Sequence, residues 1–72
     1  MLIRRLSDGR FFADVPEGWR VAWSIEDGRD LGDAPIVKVA PGRRPQRLVL
    51  EARASEGAAP VIDEVIVGAA IT

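Results

Sequence analysis

The side chains that could do chemistry in this chain are few, and they fall in two clusters. Glu26, Asp27, Asp30 and Asp33 place four carboxylates within eight residues, and carboxylate oxygens are what Ca²⁺ prefers. Their spacing lacks the Asp-x-Asp-x-Asp-Gly order of an EF-hand loop, and Asp and Gly also crowd into turns for conformational reasons. A solvated turn is therefore expected, with no metal and no cofactor. Arg43, Arg44 and Arg47 form the second cluster, joined by Arg4 and Arg5 if strand pairing brings them near. Such a set could pair phosphates. It has none of the interleaved aromatics on which single-stranded nucleic acid stacks, and the simpler expectation is charge on a sheet edge that discourages strand pairing.

Catalytic groups are scarcer still. The chain has no His, Cys or Tyr, so the commonest general base and the strongest nucleophile are missing. Ser7, Ser24 and Ser55 have no base in sequence reach. Asp63 and Glu64 are adjacent, and adjacent strand residues face opposite ways. Gly42 and Gly57 belong to no phosphate-cradling motif. The expectation is a non-enzyme.

The element around which the rest is organised is Trp19-Arg-Val-Ala-Trp-Ser-Ile25. Trp19, Val21, Trp23 and Ile25 fall on one parity and Arg20, Ala22, Ser24 and Glu26 on the other. That is the period of a half-buried strand. Both tryptophans lie on its apolar side, and their rings are expected to nucleate the core. Before it, Leu2–Leu6 and Arg10–Val15 predict a hairpin about Ser7-Asp-Gly9, and Pro16-Glu-Gly18 predicts a turn. Asp27–Pro35 reads as a loop, Ile36–Ala40 as a strand stopped by Pro41-Gly42, and Arg47–Ala54 as a cleanly alternating strand. Ser55–Pro60 is the next loop, and Val61 to about Ile71 the last strand. Short strands between frequent turns predict one all-β domain over residues 1–72, a sandwich or a small barrel.

Trp23, the Asp27-Gly28 turn, Pro41-Gly42, the Leu48-Val-Leu-Glu-Ala strand, the turn at Gly57 and the Val-rich closing strand resemble the later strands of immunoglobulin-like domains. They are most similar to the polycystic-kidney-disease (PKD) type, over roughly residues 19 to 68. The resemblance implies a small antiparallel β-sandwich. No Tyr is present for a tyrosine corner and no Cys pair bridges the sheets, and an SH3-like or OB-like barrel is the alternative.

Ten basic and eleven acidic side chains leave a net charge of −1, so no global field draws the chain to nucleic acid or an anionic membrane. Nine of the ten basic residues are arginine and one is Lys38, a bias that a GC-rich genome also produces. Met1-Leu-Ile-Arg-Arg-Leu lacks the pattern of a signal peptide, and no apolar run approaches a membrane span. Synthesis in a cytoplasm is expected, and lack of Cys fits it.

A chain of 72 residues buries only about 60% of its unfolded surface. With no disulfide and no histidine, oligomerisation or docking on a partner is the remaining route to extra stability. Val65-Ile-Val-Gly-Ala-Ala-Ile71 carries apolar residues on both parities, so Val65, Ile66, Val67, Ala69 and Ile71 are expected to form an interface with a larger assembly or a second copy. The function expected is a structural or interaction module. By analogy it is similar to the small accessory proteins that decorate the capsid or tail of a phage or phage-like particle and stabilise subunit junctions, which would make the virion its destination. The alternative is a small cytosolic ligand-binding or regulatory domain, and the third reading is a nucleic-acid-binding barrel.

Overall fold

The computed structural model describes residues 2–7, 9–26, 28–40 and 44–68. Its elements are β1 (Ile3–Arg5), β2 (Arg10–Ala13), β3 (Arg20–Ile25), β4 (Asp30–Gly32), β5 (Ile36–Lys38), β6 (Gln46–Arg53) and β7 (Val61–Val67). They form two separate antiparallel sheets, β1-β2-β5 and β4-β3-β6-β7. Because the layers are not joined by a continuous ladder, the architecture is a small antiparallel β-sandwich and not a closed barrel. The chain passes between layers after β2, β4 and β5.

The hairpin forms as expected, with Ile3 opposite Ala13 and Arg5 opposite Phe11. Its turn requires Gly9. The residue has φ of +73°, and a Cβ there would meet the Val39 carbonyl oxygen at 2.8 Å, while the Val39 N–H donates to the Gly9 carbonyl at 2.9 Å. Any side chain would strain the backbone and push β5 away.

In the second sheet the alternation of β3 and β6 is expressed rung by rung. Trp23 lies opposite Leu50 and Ile25 opposite Leu48, and all four are buried to within 2%. Ile3, Phe11 and Ala13 face them from the other sheet with Val37 and Val39, and Val67 closes the cluster from β7. Val21 packs against this core. Trp23 fills the gap between layers with its ring, and its Nε1–H donates to the Ala34 carbonyl at 2.8 Å. That bond fixes the segment by which the chain leaves β4 for β5. The Ala13 N–H holds the same segment from the other sheet, through the Pro35 carbonyl at 2.9 Å.

Three expectations need correction. The stretch Asp27–Pro35 contains a strand, β4, paired with β3 through Trp23–Gly32 and Ser24–Asp30 with a shift of register between them. Three residues with a single apolar side chain, Leu31, leave no period to read, and tertiary pairing defines this strand. Trp19 continues the parity of β3 but precedes the strand and is only half-buried, outside the central cluster. Just one tryptophan nucleates the core. The last strand stops at Val67, and residues 69–72 lie outside the described residues.

Truncating Trp23 removes the ring and the Ala34 bond together. Trp23→Ala should cost about 3–5 kcal/mol, against a typical total stability of about 5–15 kcal/mol. Trp23→Phe, which keeps most of the packing, should cost clearly less. Denaturant unfolding measures both, and a wild-type midpoint for Trp23→Ala would contradict this placement.

Candidate functional site

Two surfaces of the sandwich can meet another molecule. The first is the outer face of β4-β3-β6-β7. Since Trp23, Leu48 and Leu50 point inward, their neighbours in sequence point out, and the registers align them in rows. Ala22, Glu51 and Ile62 form one row, Ser24, Val49 and Glu64 the next, and Arg47 with Ile66 a third. Ile62 is 50% and Ile66 51% exposed. The charges on this face are largely matched internally. Arg47 Nε lies 3.8 Å from Glu64 Oε1, and Arg53 Nη2 lies 3.2 Å from Glu51 Oε1. Beyond these pairs the face offers the apolar surface of the two isoleucines and, at the start of β3, the exposed Arg20 opposite Arg53.

The residues expected at an interface separate accordingly. Val65 and Val67 share the inward parity of Leu48, which lies opposite Val65. Val67 is buried in the core, Val65 packs against it, and only Ile66 of the three faces solvent. Ala69 and Ile71 lie outside the described residues. The two-faced apolar pattern therefore comes from an inner row, Val65 and Val67, and an outer row, Ile62 and Ile66. Asp63 interrupts the inner row.

Asp63 explains why the alternation in β7 is unclear. Its Oδ2 accepts hydrogen bonds from the Leu2 N–H at 2.8 Å and the Ile3 N–H at 2.9 Å, and its Oδ1 accepts from the Glu64 N–H at 2.9 Å. A carboxylate thus clasps the start of β1 to β7 where no strand ladder joins the sheets. Desolvation raises the Asp63 pKa, but the N–H donors of Ile3, Leu2 and Glu64 outweigh it and leave the group below the ordinary carboxylate value.

The free edge of β7 is guarded by the same neighbourhood. Arg47 turns its carbonyl to β3, accepting from the Glu26 N–H at 3.0 Å. Arg47 and Ile66 are therefore a non-hydrogen-bonded pair, and Ile66 points its own polar groups away from β6. There the Arg5 Nη2 donates to the Ile66 carbonyl at 3.1 Å. The Glu64 N–H, of the same parity, is held by Asp63.

Among the described residues the basic side chains of the arginine set are spread over both sheets. Arg4 Nε donates to Asp14 Oδ2 at 2.6 Å, and Arg5 also lies 5.6 Å from the centre of the Phe11 ring. Arg47 stands on the opposite sheet facing Glu64. Arg43 is outside the described residues, and Arg44 is exposed in the connection before β6. Among the described residues no group of three or more carboxylates is arranged to hold a metal ion; Asp27 is not among them. Among the described residues no helix is long and apolar enough to cross a membrane.

The second surface is a pair of clefts between the layers, at opposite ends of β2. One, of about 390 Å³, lies by the hairpin turn and is walled by Leu6, Phe11, Val39 and Val67, with Arg5 at its side. The other, of about 520 Å³, opens where β2 ends and β3 begins. Its lining brings together Ala13, Val15, Val21 and Pro35 with the half-buried Trp19 ring, and Arg20 and Asp33 border it. No local motif announces this cleft, because its residues come from three separate segments. No protein-family model, curated protein or solved structure matches the chain.

Removing the Asp63 clasp should destabilise the fold at neutral pH. Asp63→Ala is expected to cost about 1–3 kcal/mol, as hydrogen bonds to a charged acceptor do, and Asp63→Asn less, since one acceptor oxygen remains. The folded pKa lies below the unfolded one. The stabilisation is therefore complete above the unfolded value of about 3.9 and is lost as pH falls through the folded value. Denaturant midpoints measured from neutral pH into acid should fall more steeply for wild type than for Asp63→Asn. Parallel profiles would show that Asp63 does not link β1 to β7.

Proposed function

We propose that this chain is a non-enzymatic interaction module that seats the outer face of β3, β6 and β7 on a protein partner. The observation that carries the reading is the pair Ile62 and Ile66, half-exposed on one face whose charged neighbours are paired with one another. Isolated exposed apolar residues are ordinary. Two on the outward side of one edge strand, flanking Glu64, share the face with Ala22 and Val49, and these apolar side chains interleave with the Arg–Glu pairs in the mixed composition that a protein contact uses. The guarded edge favours contact through the face over addition of a strand, because Arg5 and Asp63 already occupy groups that an incoming strand would use.

The setting that suits such a module is a larger assembly, and the role of a decoration or accessory protein at subunit junctions of a phage or phage-like particle is the specific form we propose. A small core without disulfides gains most from a surface that is covered in its working state.

The test is the double variant Ile62→Lys/Ile66→Lys. Substitutions at exposed positions usually stay within about 0.5 kcal/mol of wild type each, so circular dichroism and melting should show an intact fold. By light scattering the isolated wild-type chain should be a monomer or small oligomer. In its native source it should run in a particle of regular stoichiometry, from which the double variant is absent. A variant that still enters the particle, or a native chain that runs alone, would contradict the reading.

A further inference from the structure

The cleft at the junction of β2 and β3 lies between the layers, apart from the outer face of β7, and nothing in the docking role uses it. Its position follows from the sandwich. Trp19 and Val21 continue the inward parity of β3 beyond the core, Ala13 and Val15 leave the end of β2, and Pro35 walls the space from the β4–β5 connection. That wall is held from both sheets, by Trp23 Nε1–H on the Ala34 carbonyl and by the Ala13 N–H on the Pro35 carbonyl. Trp19 is held by its own turn, in which its N–H donates to the Pro16 carbonyl at 3.2 Å and Gly18 takes a φ of +91°. The site is thus formed before any ligand arrives, which lowers the ordering cost of binding.

Its chemistry is mixed in a particular way. The partly exposed Trp19 lines the cleft together with the apolar side chains of Ala13, Val15, Val21 and Pro35. Asp33 and Arg20 border it with opposite charges, Arg20 from the outward side of β3 opposite Arg53, and neither makes an ion pair or side-chain hydrogen bond among the described residues. Donors and acceptors are therefore both available, while the pair contributes no net charge. A cationic ligand would be opposed by Arg20, and an anionic one by Asp33. A ligand with one apolar face and a rim of neutral hydroxyl groups meets every part of this arrangement. The volume, about 520 Å³, lies in the usual range for small-molecule sites, about 300–1,000 Å³, and is far larger than an ion needs.

The geometry points to a carbohydrate site, with a pyranose ring stacked on Trp19 and its hydroxyl groups donating to Asp33 and accepting from Arg20. The site is independent of the outer-face reading, and neither stands or falls with the other.

The test uses the full chain and a panel of neutral disaccharides (maltose, cellobiose, lactose and chitobiose), with choline and inorganic phosphate as charged controls. Indole and amide N–H resonances are followed by nuclear magnetic resonance. At least one disaccharide should shift the Trp19 indole signal and the amides of residues 13–21 and 33–35 saturably, with Kd of about 1 mM or below. The buried Trp23 indole serves as the internal reference. Trp19→Ala should weaken binding by about tenfold or more. Asp33→Ala, at an exposed position that leaves the core untouched, should weaken it as well and decides the question if Trp19→Ala fails to fold. The proposal is overturned if no disaccharide titrates. It is equally overturned if choline or phosphate titrates in place of the sugars, or if the shifts survive Asp33→Ala and map away from Trp19.

Discussion

Trp23 fills the space between the two sheets, and the rest of the sandwich depends on that one ring staying there. Its neighbours across the gap come from β1, β2 and β5, while its partners along its own sheet are Leu48, Leu50 and Ile25. Among the described residues the buried apolar side chains form a single cluster, and a domain of this size has little burial to spare. The same side chain also ties down the connection from β4 to β5 through Ala34, one of the places where the chain changes layers. One side chain thus contributes both to the packing and to the path of the chain between layers.

Polar groups close what the core cannot. Asp63 and Arg5 reach between β7 and β1, where the sheets share no ladder, and bind backbone groups on the opposite element. The consequence reaches function. The long strand β7 would otherwise present an unprotected edge, and an unprotected edge invites indiscriminate pairing. Ile66 and Glu64 each hold an intramolecular partner on that edge, and in the docking role proposed above this leaves the exposed isoleucines of the outer face as the contact surface. The carboxylate that clasps β1 to β7 also occupies a backbone N–H on the free edge of β7.

The parts legible in sequence were those with a period. The alternation of Trp19–Ile25 and Arg47–Ala54 predicts the two central strands and their inward residues, and Ser7-Asp-Gly9 between two short apolar runs predicts the hairpin. What the sequence hides is long-range. Asp63 in an apolar strand looks like a flaw in the pattern, and its reason lies about sixty residues away at Leu2 and Ile3. The strand β4 has too few residues for a period. Trp19 keeps the parity of Trp23, but the facing sheet has ended by that point, so parity alone puts it in the core while geometry leaves it at a cleft. The apolar residues of Val65–Ile71 suggest one interface, whereas Val65 and Val67 turn to the core and Ile62, before that run, joins Ile66 outside.

The most direct measurement of this account is hydrogen exchange at the Trp23 indole N–H in the native protein. If the ring is the centre of the core and is bonded to Ala34, the proton should exchange only through global unfolding. Its exchange free energy would then equal the unfolding free energy from denaturant, and the half-buried Trp19 indole would exchange far faster. Exchange of the Trp23 proton at the rate of an exposed indole, or well below the global free energy, would contradict the central role given to this residue.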